Sequence, residues 1–194
     1  MIMTEQEVYQ FYNDTVKVIY SEIEAKNNTL PVELLFEINS AFDHLKRIHV
    51  DDESEDYQAQ KAYSHLKRGC LDAFKLKLKY FNVDVTRVYN KKADLRIIDN
   101  GQFLSDFIKA KSEIFKIAKD ARLNEGKNDT ELALQNWSHV SVLIDSFEEK
   151  FFDSTKLHWA EKQSFFHFNV NFWLGVLAGI ISSVAVTLLF DIIL

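Results

Sequence analysis

Hydrophobic residues recur at spacings of three and four along most of this chain, which predicts α-helices with one buried side. The first such stripe covers residues 8–23. Thr4 and Glu7 precede it at the spacing of a capping box, in which each side chain bonds the backbone N–H of the other residue. The stripe predicts a first helix that ends at "KNNTLP", where Pro31 suits the first turn of the next helix.

Four further stripes predict four more helices, at residues 34–48, 57–81, 103–118 and 132–151. The β-branched segment "FNVDVTRVYN" follows the third helix, and we expect that helix to bend or break there. No Gly or Pro lies between Lys127 and Gly175. The fifth helix is therefore expected to run, with or without a kink, into the C-terminal segment.

The C-terminal segment is the most hydrophobic part of the chain. Residues 168–190 read "FNVNFWLGVLAGIISSVAVTLLF", 23 residues without a charge. About 20 apolar residues suffice to cross the hydrocarbon core of a bilayer as a helix. Trp173 lies near the start, where an indole favours the headgroup layer. The segment predicts one transmembrane helix, since a buried core helix seldom lacks charges on every side for this length.

The charges beside the span predict its orientation. Lys150, Lys156 and Lys162 precede it, and no Lys or Arg follows it. The positive-inside bias then places the preceding residues in the cytoplasm and the span in the inner membrane. We expect a cytoplasmic helical domain over residues 1–160, followed by a juxtamembrane segment and the span over residues 161–194.

Composition agrees with an all-α helical bundle that carries one C-terminal transmembrane helix. Five glycines and one proline are too few for the turns of a sheet protein. The net charge of −6 argues against direct nucleic-acid binding. The single cysteine, Cys70, excludes an internal disulfide and fits a reducing compartment. The N-terminal "MIMTEQEVYQ" has no basic start or apolar run, so no secretory signal is expected.

A repeated motif offers the first candidate site. "AFDHLKR" and "AYSHLKR" place His44 with Arg47 on the second helix, and His65 with Arg68 on the third. Histidine and arginine three positions apart share a helix flank, and two antiparallel helices would bring the flanks together. Such a cluster binds a phosphate or pairs with acids such as Asp43 or Glu37. The alternative, which we favour, is two packed helices with charged edges at a subunit interface or cytoplasmic vestibule.

Templates for enzymes and metal sites are absent from the sequence. No HExxH, paired CxxC, phosphate loop or Gly-x-Ser-x-Gly occurs, so we expect no enzyme activity, no cofactor and no metal. His44 and His49 are five positions apart and fall on different helix faces. Cys70 lies inside an apolar stripe and is interpreted as structural. The lysines of "KLKLK", residues 75–79, are interpreted as a solvated face.

Small residues follow one side of the predicted span. Gly175, Gly179, Ser183 and Thr187 recur every four residues, with Ala178 and Ser182 beside them. Such a stripe lets helices approach closely in lipid, which predicts self-association. The same hydroxyls in a ring of copies would line a narrow water-filled path, with Asn169 and Asn171 at its cytoplasmic mouth.

The helical layout with "EINSAFDHLKRI" and "KAYSHLKRGCLDAFKLKLK" resembles the HEPN-like domains of prokaryotic defence systems. Joined to one span, it looks most like the small membrane accessory proteins encoded beside type VI-B CRISPR effectors. That resemblance implies a homo-oligomeric pore that permeabilises or depolarises the inner membrane in antiphage defence, with membrane lipid and an upstream RNA-guided nuclease system as partners. Active HEPN ribonucleases carry an Arg followed, after four to six residues, by His, and no such pair occurs here.

Three functional hypotheses follow. The first is an oligomeric membrane effector that conducts through its spans. The second is a membrane-tethered, non-conducting adaptor that docks a protein or RNA. The third is a diverged HEPN ribonuclease that uses His44, Arg47, His65 and Arg68.

Overall fold

The chain is almost wholly helical in the part that the structure describes, and no β-strand occurs there. That part of the computed structural model comprises residues 3–90 and 93–193, and the side chains at positions 167, 168, 185 and 187–193 are outside the description. A π-helical segment, Tyr12–Val16, joins α1 to α2, and a 3₁₀ segment, Leu95–Gly101, precedes α5. The α-helices are α1 Glu5–Phe11, α2 Lys17–Asn27, α3 Val32–Val50, α4 Glu55–Asn90, α5 Gln102–Gly126, α6 Thr130–Phe151 and α7 Ser154–Ile193.

The first helix begins at the predicted capping box. The Glu7 backbone N–H donates to Thr4 Oγ1 at 3.3 Å, and the Thr4 N–H donates to Glu7 Oε2 at 2.8 Å. The Thr4 backbone N–H holds the pKa of the Glu7 carboxyl below its usual value. Asn28 ends α2 in a left-handed conformation, with a φ of 48°.

The helices pack as two antiparallel pairs around one core. A short acidic turn connects α3 to α4, and the loop at Lys127 to Asp129 connects α5 to α6. Helix α6 also packs against α4, so the two pairs share a single apolar cluster. Helix α4 is therefore the central element, which agrees with its many buried positions.

Aromatic rings fill the centre of this core. Phe107 on α5 has its ring centroid 4.9 Å from that of Phe147 and 5.4 Å from that of Phe151, both on α6. The Phe81 ring of α4 meets Phe147 edge-on at 5.0 Å. Edge-to-face contacts of this kind add about 0.5–1.5 kcal/mol each to the burial of the rings. The phenylalanine stripes of the sequence are mainly core packing.

Helix α4 continues without a break through "FNVDVTRVYN", where we expected it to bend or break. It continues to Asn90, and Phe81, Val85 and Val88 are all buried. These three side chains keep the helical spacing of the preceding stripe and face the same core. Tertiary burial thus outweighs the small helix-propensity cost of β-branched residues.

The expected continuous run from the fifth helix into the span is broken. Helix α6 ends at Phe151, and α7 begins at Ser154. The Asp153 carboxylate accepts a hydrogen bond from the Thr155 backbone N–H at 2.8 Å, which starts the new helix. This bond lowers the pKa of Asp153. The sequence signal for this break is Asp153 followed by Ser154 and Thr155. Such a cap starts a new helix without a Gly or Pro.

The predicted stripes extend beyond the surface that neighbouring helices cover. Tyr57, Ile108 and Leu132 lie on the stripes and are exposed. Phe42 is also exposed, although its ring meets that of Tyr12 at 5.6 Å on the rim of the core. Periodicity identifies the side of a helix that faces the core but does not set the width of the buried strip.

Candidate functional site

The antiparallel pairing of α3 and α4 brings the two repeated motifs together. The imidazole rings of His44 and His65 stack with their centroids 5.2 Å apart and their planes at 27°. Each histidine lies on the flank of its helix that borders the other. The structure therefore places these two side chains in contact, as predicted for the two antiparallel helices.

Glu37 links one histidine to one arginine. Its Oε2 lies 2.6 Å from Nδ1 of His65, and its Oε1 lies 3.4 Å from a guanidinium nitrogen of Arg68. Glu37 was among the acids that we expected as partners. The carboxylate therefore occupies the place between the two basic groups that an external phosphate would need.

Gln58 determines the proton position on the other histidine. Its amide nitrogen donates to Glu53, so its Oε1 is the acceptor that faces Nδ1 of His44 at 2.6 Å. His44 must then carry a proton on Nδ1. Gln58 is 1% exposed, and the pair satisfies a buried amide that would otherwise destabilise the turn between α3 and α4.

Arg47 does not join the cluster. It points along its own helix and donates to Asp43 Oδ2 at 2.9 Å, in an exposed i,i+4 pair. The expected meeting of all four basic side chains is therefore wrong for Arg47. Surface pairs of this kind contribute about 0.3–0.5 kcal/mol. No group of three metal-binding side chains occurs among the residues that the structure describes.

A glycine makes the close approach of α3 and α4 possible. A Cβ atom at Gly69 would lie 2.7 Å from Cδ1 of Leu34 and 3.0 Å from Cβ of Glu37. The first distance is shorter than side-chain contacts allow, and the second is at the tight limit of such contacts. Gly69 follows Arg68 directly, so the same close contact positions Glu37 against His65 and Arg68.

A buried ionic cluster surrounds Lys77, and the sequence pattern did not predict it. This residue is 5% exposed, and its ammonium lies 2.7 Å from Glu22 Oε2, 2.6 Å from Ser141 Oγ and 2.8 Å from Asp145 Oδ1. Three partners match the three protons of the ammonium. The interpretation of "KLKLK" as a solvated face is therefore wrong at its central lysine.

The signal for this cluster was the register of Lys77. It stands three residues after Phe74 and four before Phe81, on the buried stripe of α4. A lysine in that register is buried, which is unfavourable unless acids from other helices reach its ammonium. The partners come from α2 and α6, which periodicity within α4 cannot reveal.

Cys70 has no features of a nucleophile. It is fully buried, and burial raises the pKa of its thiol to about 12. The thiolate, which is the reactive form, is therefore negligible at neutral pH.

The apolar part of α7 lies outside the helical core. Leu157 and Ala160 are buried in the domain, whereas Phe165, Trp173 and Ile181 are largely exposed. By length and composition α7 can cross a membrane, and none of its most apolar 18-residue window is buried. This excludes the alternative of a buried core helix for the window.

The structure describes most of the predicted span residues. A Cβ atom at Gly175 or Gly179 would meet nothing within 4 Å. Asn171, Ser182 and Ser183 are exposed, and the Asn169 amide donates to the backbone carbonyl of Phe165 at 3.0 Å. The Thr187 side chain lies outside the described residues.

Comparison with known proteins yields no relative. No protein-family model matches the chain, and neither the curated proteins nor the solved structures contain a match.

Proposed function

We propose that this chain is an oligomeric single-span inner-membrane protein whose spans together form a pore. The observation that carries the proposal is the exposure of α7: none of its most apolar window is buried against the domain. An exposed apolar helix of this length is stable in lipid and drives aggregation in water. A bilayer is therefore the environment in which the exposed apolar part of α7 is most stable.

The charge distribution supports a cytoplasmic domain. Lys150, Lys156 and Lys162 lie on the domain side of the apolar window. The exposed aromatic side chain of Phe165 fits the interfacial layer between the domain and the apolar window.

The small-residue stripe supports association of the spans. Gly175 and Gly179 have open space at their Cα atoms, so the helix of another copy can approach closely there. Ser182 and Ser183 supply hydroxyls in the same part of the helix, which suit the wall of a narrow aqueous path.

Conduction fits the described residues better than catalysis. The basic side chains of the two repeated motifs are engaged with Glu37, Gln58 and Asp43, and Cys70 is buried and protonated. A role in antiphage defence is the part of the proposal that rests on the sequence resemblance to HEPN-like membrane accessory proteins.

The first experiment is the mass of the detergent-solubilised protein by size exclusion with light scattering, followed by dye leakage from liposomes. A discrete multi-subunit species that releases dye supports the pore. A monomer or dimer without leakage overturns it and favours the tethered adaptor.

Replacing the span with an unrelated apolar helix separates the same two functions. The pore requires the native span, whereas an adaptor keeps its activity on any anchor. RNA cleavage by the purified chain that is lost on His44→Ala and His65→Ala substitution would instead support the ribonuclease.

A further inference from the structure

A cavity lies where α7 leaves the domain. It has a volume of about 800 Å³, within the range of small-molecule sites. Its polar lining comes from His158, Glu161 and Lys162, and its apolar lining from Phe165 and Phe166.

A hydrogen bond fixes α7 beside the domain at this level. The Asp94 backbone N–H donates to Oγ of Ser164, another lining residue, at 2.8 Å. Ser164 Oγ in turn donates to the Ala160 carbonyl at 2.7 Å, and Ala160 is buried. The cavity is therefore formed at an anchored part of the helix.

The cavity continues along α7 in both directions, and its polarity changes in order. Toward the domain, a cavity of about 620 Å³ adds Ser154, Thr155 and Trp159 to the charged residues. Toward the span, a cavity of about 330 Å³ adds Val170, Trp173, Leu174 and Leu177. The lining is thus polar and charged toward the domain and mainly apolar toward the span, as the headgroup and acyl chains of a phospholipid are.

Two opposite charges in the groove are available to a ligand. Within residues 3–90 and 93–193, neither the Glu161 carboxylate nor the Lys162 ammonium has an ion-pair partner within 4 Å, and Glu161 is partly buried. By contrast, Lys150 and Lys156 pair with Asp106 and Asp99. One cation beside one anion complements a headgroup that carries a phosphate and a primary ammonium.

The position of the groove on the helix favours lipid over a second copy. Gly175 stands two residues after Trp173, and Gly179 two after Leu177, which is about 200° around an α-helix in each case. The surface that lets spans approach closely is therefore opposite the aromatic groove. When copies associate through the glycines, the groove faces the bilayer.

We propose that this groove binds one phosphatidylethanolamine molecule. Lys162 donates to the phosphate, Glu161 accepts from the headgroup ammonium, and the acyl chains lie along Phe165 and Trp173. The proposal rests on the proposed membrane insertion of α7. The bound lipid would hold the helical domain at a defined angle to the span.

The test is native mass spectrometry of the full-length chain, purified from membranes and exchanged into detergent with added phosphatidylethanolamine or phosphatidylglycerol. We expect one phosphatidylethanolamine per chain. Lys162→Gln should reduce its retention about tenfold, as should Phe165→Ala. Glu161→Gln should abolish the preference for phosphatidylethanolamine over phosphatidylglycerol.

Two matched variants serve as controls. Lys156→Gln removes a charge from the same helix, and Phe172→Ala removes an exposed ring, but neither residue lines the groove. Both should retain lipid like the unaltered chain. Equal retention by Lys162→Gln and Lys156→Gln would overturn the proposal, as would the absence of any headgroup preference.

Three further outcomes separate this proposal from the proposed function. If Phe165→Ala lowers the mass of the assembly and leaves lipid retention unchanged, a second copy occupies the groove and the lipid site is wrong. If carbonate extraction releases the chain from membranes, membrane insertion itself fails, and both proposals fall. A membrane-embedded, leaky assembly without bound lipid overturns the lipid site alone.

Discussion

The ammonium nitrogen of Lys77 on α4 lies 2.8 Å from the carboxylate of Asp145 on α6, inside an otherwise apolar stripe. Glu22 on α2 and Ser141 on α6 bond the remaining protons. A buried ammonium requires such partners because it has left water. The cluster consequently specifies which faces of α2 and α6 pack on α4.

Removing both acids should destabilise the fold. In the Glu22→Gln, Asp145→Asn double variant, the Lys77 ammonium stays buried without a negative partner. We expect the free energy of unfolding to fall by about 3 kcal/mol, the lower end of the range for a broken buried pair, because both carboxylates reach solvent. Urea unfolding of the detergent-solubilised chain, followed by circular dichroism, measures the change.

The matched control removes the same charges from the same helices. Glu24 on α2 and Glu149 on α6 are exposed and form no ion pair among the described residues. The Glu24→Gln, Glu149→Gln variant should unfold within about 0.5 kcal/mol of the unaltered chain. Equal stability of the two double variants would show that the Lys77 cluster contributes nothing.

Gly69→Ala should weaken the contact between α3 and α4. Its Cβ atom would lie 2.7 Å from Leu34 Cδ1 and 3.0 Å from Glu37 Cβ, so the buried Leu34 side chain must move or the helices must separate. Overpacking of this kind costs about 1–3 kcal/mol. Gly126→Ala is the control, since nothing lies within 4 Å of its added Cβ, and it should be neutral or raise stability by up to about 1 kcal/mol. A melting temperature for Gly69→Ala equal to that of Gly126→Ala would contradict the assigned contact.

Cys70 should resist alkylation in the folded chain. Burial blocks the reagent and raises the thiol pKa to about 12, so little thiolate forms near neutral pH. We expect iodoacetamide to modify native Cys70 at least about 100-fold more slowly than urea-unfolded Cys70. A Cys70→Ala, Gln60→Cys variant moves the thiol to an exposed position on α4 and should react rapidly when folded. Fast modification of native Cys70 would refute its burial.

The same thiol predicts a pH dependence of stability. Because the folded-state pKa is raised, the folded chain retains a proton that the unfolded chain loses above its usual value of 9.0. The contribution is complete below pH 9.0 and is lost as the pH rises toward about 12. Between about pH 8 and about pH 10, Cys70→Ala should lose less free energy of unfolding than the unaltered chain. Parallel pH profiles would exclude this contribution.

Bulky residues on the small-residue stripe should disperse the pore. Gly179→Leu with Ser183→Leu keeps the span apolar but prevents close approach of helices, so liposome leakage should fall about tenfold or more while membrane insertion persists. Ile180→Leu with Ile181→Leu is the control at the same depth and should leak normally. Leakage that persists in the first variant would show that the stripe is not the contact.

The contacts of Lys77 and Glu37 could be predicted only in part from the sequence. The register of Lys77 on the buried stripe of α4 was visible, but its acids belong to helices distant in the chain. For Glu37, the sequence offered it and Asp43 as partners of the basic motifs. Only the antiparallel register of α3 on α4 directs Glu37 to His65 and leaves Asp43 to Arg47.

The sequence by itself determined the helices, the Thr4–Glu7 cap and the apolar C-terminal segment, because periodicity, capping and span length are local properties of the chain. The tertiary structure decided that α4 continues through "FNVDVTRVYN", that Asp153 separates α6 from α7, and that Lys77 is buried. Those outcomes depend on which helix faces meet and how closely. Contacts between residues far apart in sequence, such as Gly69 against Leu34, set that geometry.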